Sequence, residues 1–200
     1  VREASKQEVV RRYYNALCSA RQGMGGKDEI YRLELIMSKL GITPEIRTCA
    51  IEARKKAEET SAPAVAIELP DGTIVTGKTS SLLGSSAAAL LNALKKLAGI
   101  DDDILLISPA VIEPIQKLKT EHMGNTNPRL HMDEVLIALS ICAVTAPIAA
   151  KALDQLEKLK CTEAHSTVIL SRVDENVFKK LGVNVTCEPQ YQTKKLYHPK

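Results

Sequence analysis

The Asp71-Gly72 dipeptide restricts the fold of this chain more than any other feature. An Asp-Gly pair between two runs of apolar and β-branched residues signals a β-hairpin, because glycine accepts the positive φ that a tight turn demands. The flanking runs are Pro63-Ala-Val-Ala-Ile-Glu-Leu69 and Thr73-Ile-Val-Thr76, so residues 73–76 are expected to form the second strand. The same stretch spells a phosphate-loop pattern, since Gly72-Thr-Ile-Val-Thr-Gly77-Lys78-Thr79 matches G-x-x-x-x-G-K-[ST] letter for letter. That pattern grips a nucleotide only when the residues between the glycines curl between a strand and a helix, turning backbone N–H groups inward. An extended segment cannot do so, and the hairpin reading therefore excludes the nucleotide loop.

Upstream of the hairpin the apolar period is helical. Val10, Tyr13, Tyr14 and Leu17 share one face, as do Ile30, Leu33, Met37 and Leu40, the latter helix stopped by Gly41. A third helix is expected from a Thr43 cap and Pro44, carrying Ile46, Ala50, Ala53 and Ala57. Beyond the hairpin, a helix is expected over Ser86 to Ala98, followed by an all-apolar strand Ile104-Leu-Leu-Ile107. Strands without polar alternation are usually buried on both faces, which favours a sheet covered by helices. Helices follow from Pro109, over Asp133 to Val144 and over Pro147 to Lys160. Ser166 to Leu170 reads as a strand, Asp174 as the cap of a short helix ended by Gly182, and Val183 to Cys187 as the last strand. The helix over Asp133 to Val144 is apolar enough to be expected mostly buried. The fold class is α/β: a helical segment over residues 1–60, a mixed sheet of about five strands covered by helices over 61–188, and a polar tail over 189–200.

Charge and cysteine usage exclude several functions. The 27 basic and 24 acidic residues are spread along the chain, giving a formal charge of +3 without a basic stripe, so nucleic acid is not an expected partner. Tyr13, Tyr14, Tyr31, Phe178, Tyr191 and Tyr197 are too scattered to form a base-stacking platform. Cys18, Cys49, Cys142, Cys161 and Cys187 are odd in number, form no C-x-x-C pair and suit a reducing cytoplasm. No apolar run approaches the ~20 residues of a membrane span, and the first residues are polar and charged, so neither a membrane nor a signal peptide is expected.

A family resemblance rests on Lys6-Gln-Glu8, Gly41-Ile-Thr-Pro44, Gly77-Lys78, Asn127-Pro-Arg-Leu-His131, Glu163-Ala-His-Ser-Thr167 and Lys195-Leu-Tyr197. Together these make the chain similar to the C-terminal part of an uncharacterised bacterial family, the domain of unknown function DUF1846, or UPF0371. The resemblance covers essentially the whole chain. It implies a fragment of a longer cytoplasmic protein, whose N-terminal region carries its own G-x-G-S-G-K segment, and it supplies no established activity. A second resemblance, at the level of element order, is to the cytidine-deaminase fold, in which a hairpin leads into a helix, a strand and a helix. It extends to Asn92-Ala93 and Ser108-Pro109, but Ser86-Ala-Ala-Ala89 and Pro109-Ala-Val-Ile112 stand where a zinc deaminase needs its ligands and its Glu. Zinc deaminase chemistry is excluded on that ground.

The residues left to carry chemistry lie in three places. Glu121-His-Met-Gly-Asn-Thr-Asn-Pro-Arg-Leu-His131 sets His122, Asn125, Asn127, Arg129 and His131 on one loop between helices. They can converge on a small anion, with Arg129 offering a two-pronged contact to carboxylate or phosphate; alternatively, the Asn and His side chains cap neighbouring helices. Lys78 and the serines Ser85 and Ser86 approach a helix N-terminus, where amides and the helix dipole favour an anion; plain N-capping explains the serines equally well. His165 stands at the entrance to a strand, and Ser166 beside it points to the opposite face, so the two do not form a nucleophilic pair. The function expected first is a small-anion-binding, homo-oligomeric α/β module, attached to an upstream domain of the same longer protein. One alternative is a metal-assisted enzyme site built from His122, His131, Glu134 and His165; the other is a purely structural oligomerisation domain.

Overall fold

A computed structural model gives the arrangement of residues 2–192, and the ending Lys195-Leu-Tyr197 lies outside the described residues. The chain opens with a helical hairpin of α1 (Arg2–Arg21) and α2 (Lys27–Leu40), closed on Val10, Tyr14, Met37 and Ile42. Gly41 ends α2 at φ +62°, and its N–H and that of Ile42 reach back to Ser38 and Met37 carbonyls. Pro44–Ile46 makes one separate 3-10 turn, so the next helix, α3 (Thr48–Thr60), starts four residues later than Pro44 suggests.

The hairpin forms as the Asp-Gly signal requires. β1 (Ala64–Glu68) and β2 (Ile74–Lys78) are antiparallel, with Val65 opposite Gly77 and Ile67 opposite Val75. Gly72 sits at φ +82°, its N–H donates to Leu69 O, and Asp71 Oδ1 accepts the Thr73 N–H. Residues 74–78 of the phosphate-loop pattern are thus a ladder-paired strand. Gly77 serves packing instead: a Cβ there would lie 2.1 Å from the Ala89 backbone nitrogen of α4 (Ser85–Ala98). Only a glycine lets the helix lie this close to the strand.

The sheet has four strands in the order β2-β1-β3-β4, with β3 (Glu163–Ser166) antiparallel to β1 and parallel to β4 (Asn184–Cys187). Side-chain alternation sends Val65 and Ile67 into the main core with Leu90 and Leu94 of α4, and Ala66 to Cys49 and Ala53 of α3. The fifth strand expected at Ile104 to Ile107 does not form. The apolar run bridges α4 and α5 (Pro109–Lys117) as an irregular segment, with Leu106 and Ile107 buried against α4 and Leu105 exposed. A short apolar run is buried by either route, and its periodicity does not distinguish them. The hairpin–helix–strand–helix order of the deaminase resemblance is therefore not realised.

Three further helices and two short turns follow. α5 runs into a π-type turn at Leu118–His122; α6 (Met132–Ala143) and α7 (Pro147–Leu153) follow, then a 3-10 turn at Leu156–Leu159 where a continuous helix to Lys160 was expected. α6 is not mostly buried. Val135, Ala138 and Leu139 face the core, whereas Ile137, Ile141 and Val144 are 61%, 64% and 82% exposed along one stripe. α8 (Arg172–Lys180) is capped by Ser171, whose hydroxyl accepts the Asp174 N–H; Asp174 itself stands one turn inside the helix.

Candidate functional site

Three helix N-termini meet around one cleft of about 300 Å³. Its walls include Ser85 and Ser86 of α4, Arg129 and His131 of the loop entering α6, and Ser171 and Asp174 at the start of α8. The backbone enforces this meeting. Gly84 N–H donates to Leu130 O and Leu130 N–H to Leu82 O, so the approach to α4 and the approach to α6 run side by side. Arg129 Nε donates to Ser80 O at 2.5 Å, and Asn127 Oδ1 accepts the Arg129 N–H at 3.1 Å, which fix the arginine in the cleft wall.

The chain caps two of the three termini itself, α6 with two carboxylates and α8 with the Ser171 hydroxyl. Asp174 Oδ1 accepts the Met132 N–H at 2.9 Å, and Oδ2 lies 3.0 Å from Ser171 Oγ and 3.1 Å from His131 Nδ1. Glu134 Oε2 accepts the His131 N–H at 2.8 Å and pairs with Lys119 Nζ at 2.7 Å, a buried ammonium that also donates to Arg129 O. The third terminus has no such partner. Gly84 is the N-cap of α4, no side chain caps it, and the N–H groups of Ser85, Ser86 and Ala87 have no acceptor within the helix. Ser86 is 2% exposed, lines the cleft, and its Oγ has no hydrogen-bond partner. A buried hydroxyl without a partner costs about 1–3 kcal/mol, and native structures rarely leave one so placed.

The imidazole of His131 is tuned by its neighbours. The hydrogen bond to Asp174 raises its pKa above 6.5, with burial opposing, and Asp174 and Glu134 raising and Lys119 lowering through their charges. Because Asp174 takes Nδ1, Nε2 is the nitrogen left for a ligand.

The expected site residues separate into two groups. Ser85, Ser86, Asn127, Arg129 and His131 line this one cleft. Lys78 lies elsewhere, in a groove beside β2 with Lys56, Asn92 and Lys96, where Asn92 Nδ2 donates to Thr76 O. His122 and Asn125 are exposed around the end of the π-type turn, and neither lines the cleft. His165 is fully buried between Thr186 and Glu188, its ring 4.7 Å from Tyr14, and burial lowers its pKa. These positions break up the metal alternative. Glu134 is committed to Lys119 and a backbone amide, His165 is in the core, and among the described residues no group of three metal-ligating side chains occurs. Burial pushes the thiols of Cys18 and Cys49 up to about 11 and that of Cys187 to about 12, so none is a nucleophilic thiolate near neutral pH.

Thr79, Ser171 and Asp174 belong to the cleft and were not among the expected site residues. Ser171-x-x-Asp174 is a capping signature, and only that local role is visible in sequence. The contact from Asp174 to His131 spans 43 residues and carries no sequence signal.

Comparison with known proteins places this chain in a family. Residues 45–197 match the domain of unknown function DUF1846, C-terminal, and residues 1–41 match the domain of unknown function DUF1846, N-terminal. A UPF0371 protein of Streptococcus pneumoniae serotype 19F (strain G54) is 53% identical over 195 residues, covering 98% of this chain and 40% of the relative. A UPF0371 protein of Streptococcus thermophilus (strain ATCC BAA-491 / LMD-9) is 53% identical over 196 residues, with the same coverage. The chain therefore spans about two fifths of the length of the curated relatives it matches. Among the described residues no helix is long and apolar enough to cross a membrane.

Proposed function

The chain belongs to the DUF1846 family, and we propose that within it this module binds a small anion at the uncapped N-terminus of α4. The observation that carries the reading is Ser86: a buried hydroxyl without a partner, on the wall of a cleft it shares with Arg129 and His131. A helix N-terminus supplies the equivalent of roughly half a positive charge, and a guanidinium beside it suits phosphate or carboxylate. The neighbouring terminus of α6 has two carboxylates, Glu134 and Asp174, and that of α8 has the Ser171 hydroxyl, so the positive end of α4 is the one that remains. Free thiols at all five cysteines suit the bacterial cytoplasm as the setting.

Titration calorimetry with inorganic phosphate tests the reading. Wild type is expected to bind, and phosphate at about 100 times its Kd to add ~2.7 kcal/mol to stability. Ser86→Ala is expected to weaken binding about tenfold while leaving stability unchanged or higher, because it removes an unsatisfied buried group. No phosphate binding by wild type at millimolar concentration, or unchanged affinity in Ser86→Ala, refutes it.

Association of two copies is the second part of the proposal, supported by the exposed stripe of Ile137 and Ile141 on α6 with Val144 at its C-terminal end. A stripe on one helix can pair with itself about a twofold axis. Sedimentation equilibrium is expected to show a dimer that Ile141→Asp converts to monomer; a monomeric wild type refutes this part.

A further inference from the structure

The cleft holds more than an anion cradle, and this inference rests on the reading of that cradle given above. We propose that the ligand is a phosphate monoester, whose phosphate is shared by the α4 N-terminus, Arg129 and the His131 imidazolium held by Asp174, and that binding takes up a proton at His131.

Size is the first ground. A phosphate group displaces about two or three waters at ~30 Å³ each, leaving most of the 300 Å³ for an organic substituent. The cleft supplies surface for one: Val168, Ile169 and Leu170 of the segment before α8, together with Tyr191, form an apolar and aromatic wall. Charge is the second ground. Asp174 is already shared among the Met132 amide, Ser171 and the imidazole, so it is held as the partner of His131. With Nδ1 committed to Asp174, a protonated His131 has Nε2–H to donate, alongside the Arg129 guanidinium and the α4 amides. Three donor sources match the three terminal oxygens of a monoester dianion; a carboxylate has two.

The other charges facing His131 are few. Lys119, on the π-type turn, opposes the proton; Glu134, on α6, favours it and is neutralised by Lys119; Arg129 lies two residues upstream on the same loop. Asp174 favours the imidazolium against burial and Lys119, and a bound dianion adds to the side of Asp174, which is why proton uptake accompanies binding at a pH where the imidazole is partly neutral. Atoms and charges balance simply: imidazole plus a solvent proton becomes imidazolium, and no bond of the ester changes.

The test is titration of the full chain with phenyl phosphate at about pH 8, where the ester is fully ionised since its second pKa is about 6. Measured in buffers of different ionisation enthalpy, binding is expected to take up a fraction of a proton per ligand, and affinity to fall by up to tenfold per unit of rising pH. His131→Gln is expected to bind more weakly with no proton uptake and no such pH dependence. Phenyl phosphate is expected to bind at least tenfold more tightly than acetate, and more tightly than inorganic phosphate. Binding without proton uptake in wild type overturns the role of His131 and leaves the anion cradle standing. Phenyl phosphate no tighter than inorganic phosphate overturns the monoester assignment. No binding of either phosphate overturns both the inference and the cradle. The wild-type buffer comparison is decisive even if the variant misfolds.

Discussion

Gly77→Ala separates the two meanings of the Gly72 to Thr79 pattern. In the middle of a strand, replacing glycine by alanine ordinarily stabilises, because glycine costs about 0.5–1 kcal/mol there. Here the added Cβ would lie 2.1 Å from Ala89 N and 2.6 Å from Ala88 C and Ala89 Cα. All three are helix backbone, so no rotamer change relieves them. Restoring an ordinary separation of 3.4 Å moves α4 outward by about 1.3 Å. That helix carries Leu90 and Leu94, both fully buried, and its displacement loosens the main core around them. Overpacking typically costs 1–3 kcal/mol, and with rigid backbone as the obstacle the upper end, about 3 kcal/mol, is expected. For a chain of this size that lowers Tm by about 6–12 °C. Urea denaturation followed by circular dichroism reads it as a lower midpoint at unchanged slope. A variant as stable as wild type, or more stable, refutes the close packing of α4 on β2.

Three other outcomes follow from the same geometry. Lys78→Ala is expected to change stability by less than about 0.5 kcal/mol, since Lys78 is exposed on strand β2, and a calorimetric titration with ATP should give the same trace for variant and wild type. Arg47→Ala is expected to cost about 3 kcal/mol in urea denaturation, because the buried guanidinium pairs with Glu163 at 2.6 Å and donates to Ala164 O and Asn184 O; a loss under 1 kcal/mol contradicts this. Stability measured against pH is expected to peak near 6.5. Below that, buried His165 resists a proton that the unfolded chain accepts, so stability falls as pH drops from 6.5 towards its lowered pKa. Above it, His131 holds a proton that the unfolded chain has lost, so its contribution is complete below 6.5 and disappears as pH rises through its raised pKa. His131→Gln should abolish the alkaline fall and keep the acid one.

What sequence reveals of this molecule follows the reach of its interactions. The hairpin was legible because Asp71-Gly72 acts within four residues, and α2 was legible because Gly41 ends it through local backbone bonds. Ile104 to Ile107 was misread as a strand because burial against α4 and burial in a sheet leave the same apolar run. α6 was misread as buried because composition records how apolar a helix is and not where the core lies, so Ile137 and Ile141 could not be told from Val135 and Leu139. Within the cleft, Ser85, Ser86, Arg129 and His131 were legible one by one as groups suited to an anion. Lys78 stood beside them in sequence, yet it lies along β2 in another groove. Asp174 was visible only as a cap, since its bond to His131 joins elements 43 residues apart.

The most direct measurement is a two-dimensional amide NMR titration of the full chain with phenyl phosphate. The amides of Ser85, Ser86 and Ala87 are expected to shift with the side-chain signals of Arg129 and His131, while those of Thr73 to Lys78 stay in place. Shifts centred on Thr73 to Lys78, or no shift at the start of α4 under saturating ligand, contradict the anion site.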